Sequence, residues 1–266
     1  MRRDEEVRVL ASSTPDALWR APTARVVQPA AISCRELSAG RHLDRCSFRL
    51  APGVRLVLAA EPDAAGTLLL RVLAGLVRPS AGRVVVAGIE GPDAARRGGR
   101  VAHVGREPGI HGWMTPREAL RLGAELLDLP AAEAERRIDE AVEQAGIAGT
   151  DLERPVRRGG PELAQRTAFA VALVGDPEVL LLDEPLAALP PAERARLLAL
   201  PGARRTVIVA SSRPEELAAS ASHAMLLRDG RVAALTSMAE LADAVLAPTH
   251  EGLAALAGRQ PRAARG

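Results

Sequence analysis

The sequence predicts an α/β fold with a mostly parallel sheet, an antiparallel β flank and an inserted helical subdomain. From Ile32 onward, short apolar strands alternate with helical patterns, which is typical of βαβ units. After Thr115 the strand pattern stops, and apolar residues recur at helical spacing. With 266 residues, 47% of them hydrophobic, the chain is long enough to bury one large core.

Nine strands are predicted, and the early ones are expected to form the antiparallel flank. They cover residues 32–37, 47–50, 54–59, 83–87, 101–104, 179–183, 206–210, 224–227 and 232–235. Asp229 and Gly230, between the last two strands, predict a tight hairpin because both residue types tolerate positive φ. Thr115 and Pro116, followed by Glu118, predict a capped helix start.

Composition divides the chain into three parts. Residues 1–30 mix charge, Ser, Thr and Pro without a period, and we expect a loosely ordered extension there. Residues 31–246 form the predicted α/β domain, whose helical subdomain covers about 115–158. Residues 247–266 are rich in Ala, Arg and Gly and are expected to form a C-terminal tail.

Charge and apolar patterning argue against several classes of protein. The 35 basic and 33 acidic residues are interleaved, so nucleic acid is not an expected partner. The apolar runs are of strand length, well short of the ~20 residues that a membrane span needs. The acidic N-terminal residues do not fit a signal peptide, so the expected location is the cytoplasm. Cys34 and Cys46 are expected to be small core residues.

The segment 179–185, VLLLDEP, is an apolar strand that ends in two carboxylates. A buried strand of this kind delivers Asp183 to the sheet edge where ligands bind, and Glu184 can then orient a water molecule. Simple turn chemistry after a strand is the alternative interpretation. The preceding segment 172–178, ALVGDPE, disfavours that alternative because it resembles the Walker B region of ABC-transporter ATPases.

Further segments resemble the same family. They are 70–83 (LRVLAGLVRPSAGR), 114–118 (MTPRE), 127–130 (LDLP) and 226–232 (LLRDGRV). Their order and spacing identify the chain as an exporter-like member. The resemblance implies a P-loop NTPase fold of ABC-ATPase type, with ATP and Mg²⁺ as ligands. It also implies a position at the inner face of the membrane, on an integral-membrane permease subunit and beside a second nucleotide-binding subunit, in a homodimer or a heterodimer.

The resemblance also assigns roles to residues. Glu184 matches the family's water-polarising base, and Asp183 and Thr67 match its Mg²⁺ ligands. For Thr67, the competing and preferred interpretation is a hydroxyl at a helix N-terminus.

The phosphate loop departs most from the family. Its segment 60–68 reads AEPDAAGTL, so alanine or aspartate replaces the three glycines that let consecutive N–H groups face phosphate oxygens. Gly66 stands at the lysine position, and the chain contains no lysine. Glu61 and Asp63 add negative charge where a polyphosphate binds.

Other nucleotide-handling positions differ as well. Arg106 stands where the family has the glutamine that senses the γ-phosphate, and Ser212 stands where it has the switch histidine. The signature segment is GGPEL at 159–163. There Pro161 removes an N–H group and Glu162 adds negative charge. The chain has no tyrosine, and no aromatic side chain takes the adenine-stacking position.

These losses predict a transport subunit that binds Mg·ATP weakly or not at all, a pseudo-ATPase acting as a structural or asymmetric partner. Two alternatives stay open: an active ABC ATPase that energises export, and a soluble regulatory module. We expect the permease to contact the helical subdomain and the loop 106–114. Ile110, Trp113 and Met114 are the candidate apolar contacts, and their burial within the subdomain is the alternative.

Overall fold

A computed structural model describes residues 30–91, 98–199 and 204–259. The strands are β1 (Ile32–Ala39), β2 (Leu43–Leu50), β3 (Arg55–Glu61), β4 (Ala81–Val86), β5 (Ile89–Glu90), β6 (Val101–Val104), β7 (Val179–Asp183), β8 (Thr206–Ala210), β9 (His223–Arg228) and β10 (Arg231–Ser237). The α-helices are α1 (Asp63–Leu73), α2 (Pro116–Leu126), α3 (Ala131–Ala145), α4 (Val156–Val174), α5 (Pro191–Ala199), α6 (Met238–Asp243) and α7 (His250–Arg259). Two 3₁₀ helices span Gly149–Asp151 and Pro214–Ser220. The expected N-terminal extension falls outside the described residues.

Two sheets form the framework. One has the strand order β10-β9-β3-β8-β7-β6, and every neighbouring pair in it is parallel except the β10–β9 hairpin. The other is antiparallel, in the order β2-β1-β4-β5. The predicted fold class is therefore confirmed. All nine predicted strands are present, and β5 is an additional strand of two residues.

The central strands are buried on both faces. Along β7, Val179 and Leu181 pack into the apolar cluster that contains α1 and the antiparallel sheet. Leu180 and Leu182 pack into a second cluster with α2, α3 and α4. Such continuous apolar strands are expected where helices or sheets cover both faces of a parallel sheet.

The helical subdomain begins at the predicted cap. The N–H of Glu118 donates to the hydroxyl of Thr115 at 3.2 Å, and the Glu118 carboxylate accepts from the N–H of Thr115 at 2.8 Å. This capping box satisfies two N–H groups at the start of α2. Helix α4 is interrupted at Gly160, with φ of 70°, and Pro161 begins its longer second part.

The C-terminal region contains more regular structure than a tail. Helix α7 lies within the segment 247–266, and its Leu253 is fully buried in the cluster with α2–α4. The assigned boundaries at 30 and 246 stay predictions. Among residues 30–91, 98–199 and 204–259, we find no helix that is both long enough and apolar enough to span a bilayer.

Candidate nucleotide site

A connection of one residue stands where the phosphate loop was expected. Ala60 and Glu61 still belong to β3 and pair with β9. Pro62 alone separates the strand from α1, and proline has no N–H to offer. The N–H of Ala65 already donates to the Pro62 carbonyl at 2.9 Å. A phosphate cradle needs several consecutive free N–H groups, and at most the first two residues of α1 can supply them.

Gly66 lies in the first turn of α1 and is buried. A Cβ at this position would lie 3.3 Å from the Cβ of Ala60 and 3.6 Å from that of Ala210. A side chain here would therefore enter the packed space between α1 and the ends of β3 and β8. The position assigned to the family's lysine does not face a ligand.

Glu61, at the end of β3, is paired with Arg228 and also contacts His250. Its Oε2 accepts from Nε of Arg228 at 2.7 Å, and its Oε1 lies 3.3 Å from Nδ1 of His250. The hydrogen bond from Arg228 lowers the pKa of Glu61. The carboxylate thus ties the strand end to β9 and α7.

Thr67 and Asp183, two of the predicted Mg²⁺ ligands, are in contact. The Thr67 hydroxyl donates to Oδ2 of Asp183 at 2.8 Å. Thr67 is the fifth residue of α1, and the N-cap residue is Pro62, which makes no side-chain capping bond. The preferred interpretation of Thr67 as a helix-capping hydroxyl is therefore wrong. Asp183 ends β7 and is 2% exposed, so the hydrogen bond joins α1 to the centre of the sheet.

Arg106 reaches the same carboxylate from the segment after β6. Its Nε lies 3.3 Å from Oδ1 of Asp183. Its Nη2 lies 3.9 Å from Oδ2 of Asp63 and 4.0 Å from Oε1 of Glu184. The guanidinium is therefore surrounded by three carboxylates. The sequence predicted that Arg106 belongs to the site. It did not predict that the guanidinium lies among the carboxylates of Asp63, Asp183 and Glu184.

Glu184 is held by the segment after β8. Its N–H donates to the Ala210 carbonyl at 2.9 Å. Its carboxylate accepts from the Ser211 hydroxyl at 3.3 Å and from the N–H of Ser212. Ser212 thus contacts Glu184 through its backbone N–H group. Ser211 was missed by sequence reasoning, and its only signal was a second serine directly after a predicted strand.

His103 lies in β6 beside these carboxylates. Among the described residues its Nε2 atom is buried and has no hydrogen-bond partner. Burial lowers the pKa of His103, and the charge of Asp183 opposes this effect. A neutral imidazole is therefore favoured beside the site.

The negative charge at the signature position is neutralised within the subunit. Glu162 accepts from Nη2 of Arg166 at 2.9 Å. Arg166 also donates to Glu193 at 2.7 Å and to the Ala145 carbonyl at 3.1 Å. Glu162 therefore takes part in joining α4 to α3 and α5.

The residues present do not fit Mg²⁺. The ion prefers six oxygen ligands in near-octahedral geometry at about 2.0–2.1 Å. Both oxygens of Asp183 are engaged, one by Thr67 and the other by Arg106.

The strand order, with a helix directly after β3 and the carboxylates of Asp183 and Glu184 at the end of β7, is that of an α/β domain of the P-loop NTPase class. A family model described as "ABC transporter" matches residues 43–187, more than half of the chain. The protein therefore belongs to the ABC transporter family, and its fold is that of the family's ATP-binding domain. Proteins of this family generally bind ATP and Mg²⁺.

Two curated relatives and one solved structure illustrate the similarity. An uncharacterized ABC transporter ATP-binding protein of Nostoc sp. is 30% identical over 75% of this chain and 61% of its own. The thiamine import ATP-binding protein ThiQ of Cereibacter sphaeroides is 31% identical over 73% of this chain and 90% of its own. The structure of cbiO1 from Clostridium perfringens, part of the ABC transporter complex cbiONQ, has a TM-score of 0.68 at 22% identity, covering 80% of this chain and 91% of that one.

The chain is shorter than several relatives. It spans 61% of the Nostoc protein and about half the length of two further curated relatives.

Proposed function

We propose that the protein is a degenerate ATP-binding subunit of an ABC-type membrane transport system, a pseudo-ATPase that serves as a structural or asymmetric partner. The observation that carries this proposal is the one-residue connection at Pro62. It leaves no run of free N–H groups for phosphate oxygens. Gly66 stands at the position of the family's phosphate-binding lysine, and the chain has no lysine elsewhere that could take over that role.

Binding of Mg·ATP is proposed to be weak or absent. A micromolar affinity corresponds to about 8 kcal/mol. Charge-assisted hydrogen bonds contribute roughly 1.5–3 kcal/mol each, so losing several phosphate contacts removes most of that affinity. Millimolar affinity or none is the expected result of a calorimetric titration with Mg·ATP.

The proposed partners are an integral-membrane permease subunit and a second nucleotide-binding subunit, in a homodimer or a heterodimer. Support comes from cbiO1, which is described as part of a transporter complex. The proposed location is the cytoplasm, peripheral at the inner face of the cell membrane. The exporter-like character stays a prediction, because the relative covered over 90% of its length is named for thiamine import.

The permease contact is proposed at the loop before α2 and on the helical subdomain. Trp113 is 62% exposed, and its ring stacks on His111 with centroids 5.7 Å apart. Leu126 of α2 is also exposed. Met114 is buried and Ile110 is half-buried, so Met114 belongs to the subdomain interior and Trp113 is the main apolar candidate.

One observation favours an active ATPase as the second candidate. Thr67 still contacts Asp183, and Glu184 still follows it at the strand end. In an active family member Glu184 would polarise the attacking water. Here its carboxylate accepts hydrogen bonds from Ser211 and Ser212 instead.

Phosphate release with Mg·ATP distinguishes the two candidates. We expect release at background from the wild-type protein, alone and in a co-purified complex, and no change in Glu184→Gln. Glu178→Gln is the matched control, since Glu178 is an exposed carboxylate paired with Arg100. The active ATPase would be established if the wild-type protein and Glu178→Gln released phosphate above background and Glu184→Gln did not.

Isolation from a detergent extract tests the partner. We expect a polytopic permease to be recovered with the protein, and substitution of Trp113 by serine to weaken that recovery. Recovery of soluble partners alone would favour a regulatory module.

A further inference from the structure

We propose that the guanidinium of Arg106 is the resident cation of this site and takes the place that a divalent metal ion would otherwise occupy. The inference deepens the proposed function and rests on it, since a site closed to Mg²⁺ has no role in hydrolysis. The inference describes the protein without bound nucleotide, so it can be tested in the absence of ATP.

The first support is the position of the guanidinium. It lies 3.3 Å from Asp183 and within 3.9 to 4.0 Å of Asp63 and Glu184. Asp183 is 2% exposed, so its carboxylate needs a partner cation or strong donors inside the fold. Arg106 and Thr67 supply one donor to each of its oxygens. The buried carboxylate is therefore satisfied entirely by this chain.

The second support is the direction from which the cation comes. The side chain of Arg106 is 47% exposed and belongs to the segment that joins β6 to α2. Its charge enters a site whose other walls, α1 and the ends of β7 and β8, are packed into the core. A divalent ion bound to Asp183 would lie within a few ångströms of the guanidinium, and the two like charges would repel. The metal and Arg106 therefore exclude one another.

A consequence follows for the segment that carries Arg106. In this structure the Arg106 side chain joins the segment to the strand end through its contacts with Asp183 and Glu184. The contact between the sheet and the helical subdomain is thereby made independent of metal and nucleotide, as suits a structural partner.

Mn²⁺, which takes the same oxygen ligands as Mg²⁺, is the probe. Free Mn²⁺ is measured by electron paramagnetic resonance as the metal is titrated into nucleotide-free protein. We expect no binding by the wild-type protein beyond that of Asp183→Ala. Arg106→Gln removes the charge and keeps a polar side chain at the position, and we expect it to bind Mn²⁺ with an affinity at least tenfold above the background shown by Asp183→Ala.

Three controls define the origin of the effect. Arg106→Lys keeps the charge and should still exclude Mn²⁺. Arg100→Gln removes an exposed arginine that pairs with Glu178, and it should leave Mn²⁺ binding at the wild-type level. Asp183→Ala in the Arg106→Gln background should abolish the gained binding. Far-ultraviolet circular dichroism and thermal melting establish that each variant is folded.

Two results would overturn the proposal. The first is that the wild-type protein binds Mn²⁺ and that Asp183→Ala abolishes this binding. This measurement does not depend on any Arg106 variant. The other is a folded Arg106→Gln protein that binds Mn²⁺ no better than the wild-type protein. The proposed function is tested separately, by measuring ATP turnover, and turnover by the wild-type protein would contradict it. A wild-type protein that binds Mn²⁺ at Asp183 but does not turn over ATP would overturn only the inference about Arg106.

Discussion

Thr67 in α1 and Asp183 at the end of β7 are in direct contact. Thr67 and Asp183 are 116 positions apart in sequence, and their hydrogen bond is 2.8 Å long. In this protein the bond contributes to stability, because the Asp183 carboxylate is buried and an unsatisfied buried acceptor is costly. The contact therefore has a structural role whether or not the site binds a ligand.

At the same scale, restoring the family's lysine should not restore nucleotide binding. Gly66→Lys places a side chain 3.3 Å from Ala60 in packed space, so we expect the protein to lose roughly 1–3 kcal/mol of unfolding free energy from overpacking alone. Affinity for Mg·ATP should stay at the wild-type level in a calorimetric titration. Gly149→Lys is the control, because it adds the same charge where a Cβ meets no atom within 4 Å. A gain in ATP affinity confined to Gly66→Lys would contradict the geometry.

Among the secondary-structure elements, helix α4 makes structural contacts at the predicted signature segment, residues 159–163. Its interruption at Gly160 lets Pro161 begin a new helical segment without an N–H group. Glu162 and Arg166 are one helical turn apart, and Arg166 extends to the end of α3 and to Glu193 of α5. The helix start is therefore occupied by contacts within the chain.

Removing that arginine should destabilise the helical subdomain. Arg166→Ala leaves the carbonyls of Ala145 and Gly146 without their donor, at a cost of roughly 1–3 kcal/mol for an unsatisfied buried acceptor. The half-exposed pair with Glu162 should add little. Arg158→Ala on the same helix is the control, expected within about 0.5 kcal/mol because its side chain is exposed. Chemical denaturation measures both, and equal effects would refute the anchoring role.

At the scale of the whole molecule, the parallel sheet separates two apolar clusters. One joins it to α1 and the antiparallel sheet, and the other joins it to the helical subdomain, α5, α6 and α7. Both cysteines, Cys34 and Cys46, are buried in the first cluster, as the sequence predicted.

Global stability should therefore depend on pH through Cys46. Burial raises the pKa of Cys46 from 9.0 to about 12. The native state keeps the thiol protonated while the unfolded state loses its proton, so the unfolding free energy should fall as the pH rises from about 9 to about 12. The slope is at most about 1.4 kcal/mol per pH unit. Cys46→Ala should show a shallower decline by chemical denaturation, and identical slopes for both proteins would refute the assignment.

The sequence by itself determined the nine longer strands, the start of the helical subdomain and the last hairpin, but not α7 or β5. Apolar alternation placed all nine predicted strands, Thr115 with Glu118 marked the start of α2, and Asp229 with Gly230 marked the hairpin. These features are local, because each depends on the period of side chains or on the φ preference of one or two residues. The family resemblance depended instead on particular sequence segments, such as 172–185 and 226–232, and on their order along the chain.

Only the tertiary structure decided what the site contains. Counting residues placed a phosphate loop at 60–68, but pairing with β9 extends β3 to Glu61, and α1 begins at Asp63. The position of the Arg106 guanidinium was equally invisible to the sequence. Its contacts with Asp63 and Asp183 join residues at least 43 positions apart, and the order of strands in the sheet brings them together. Side-chain periodicity carries no information about such contacts, because they depend on where one element ends against another.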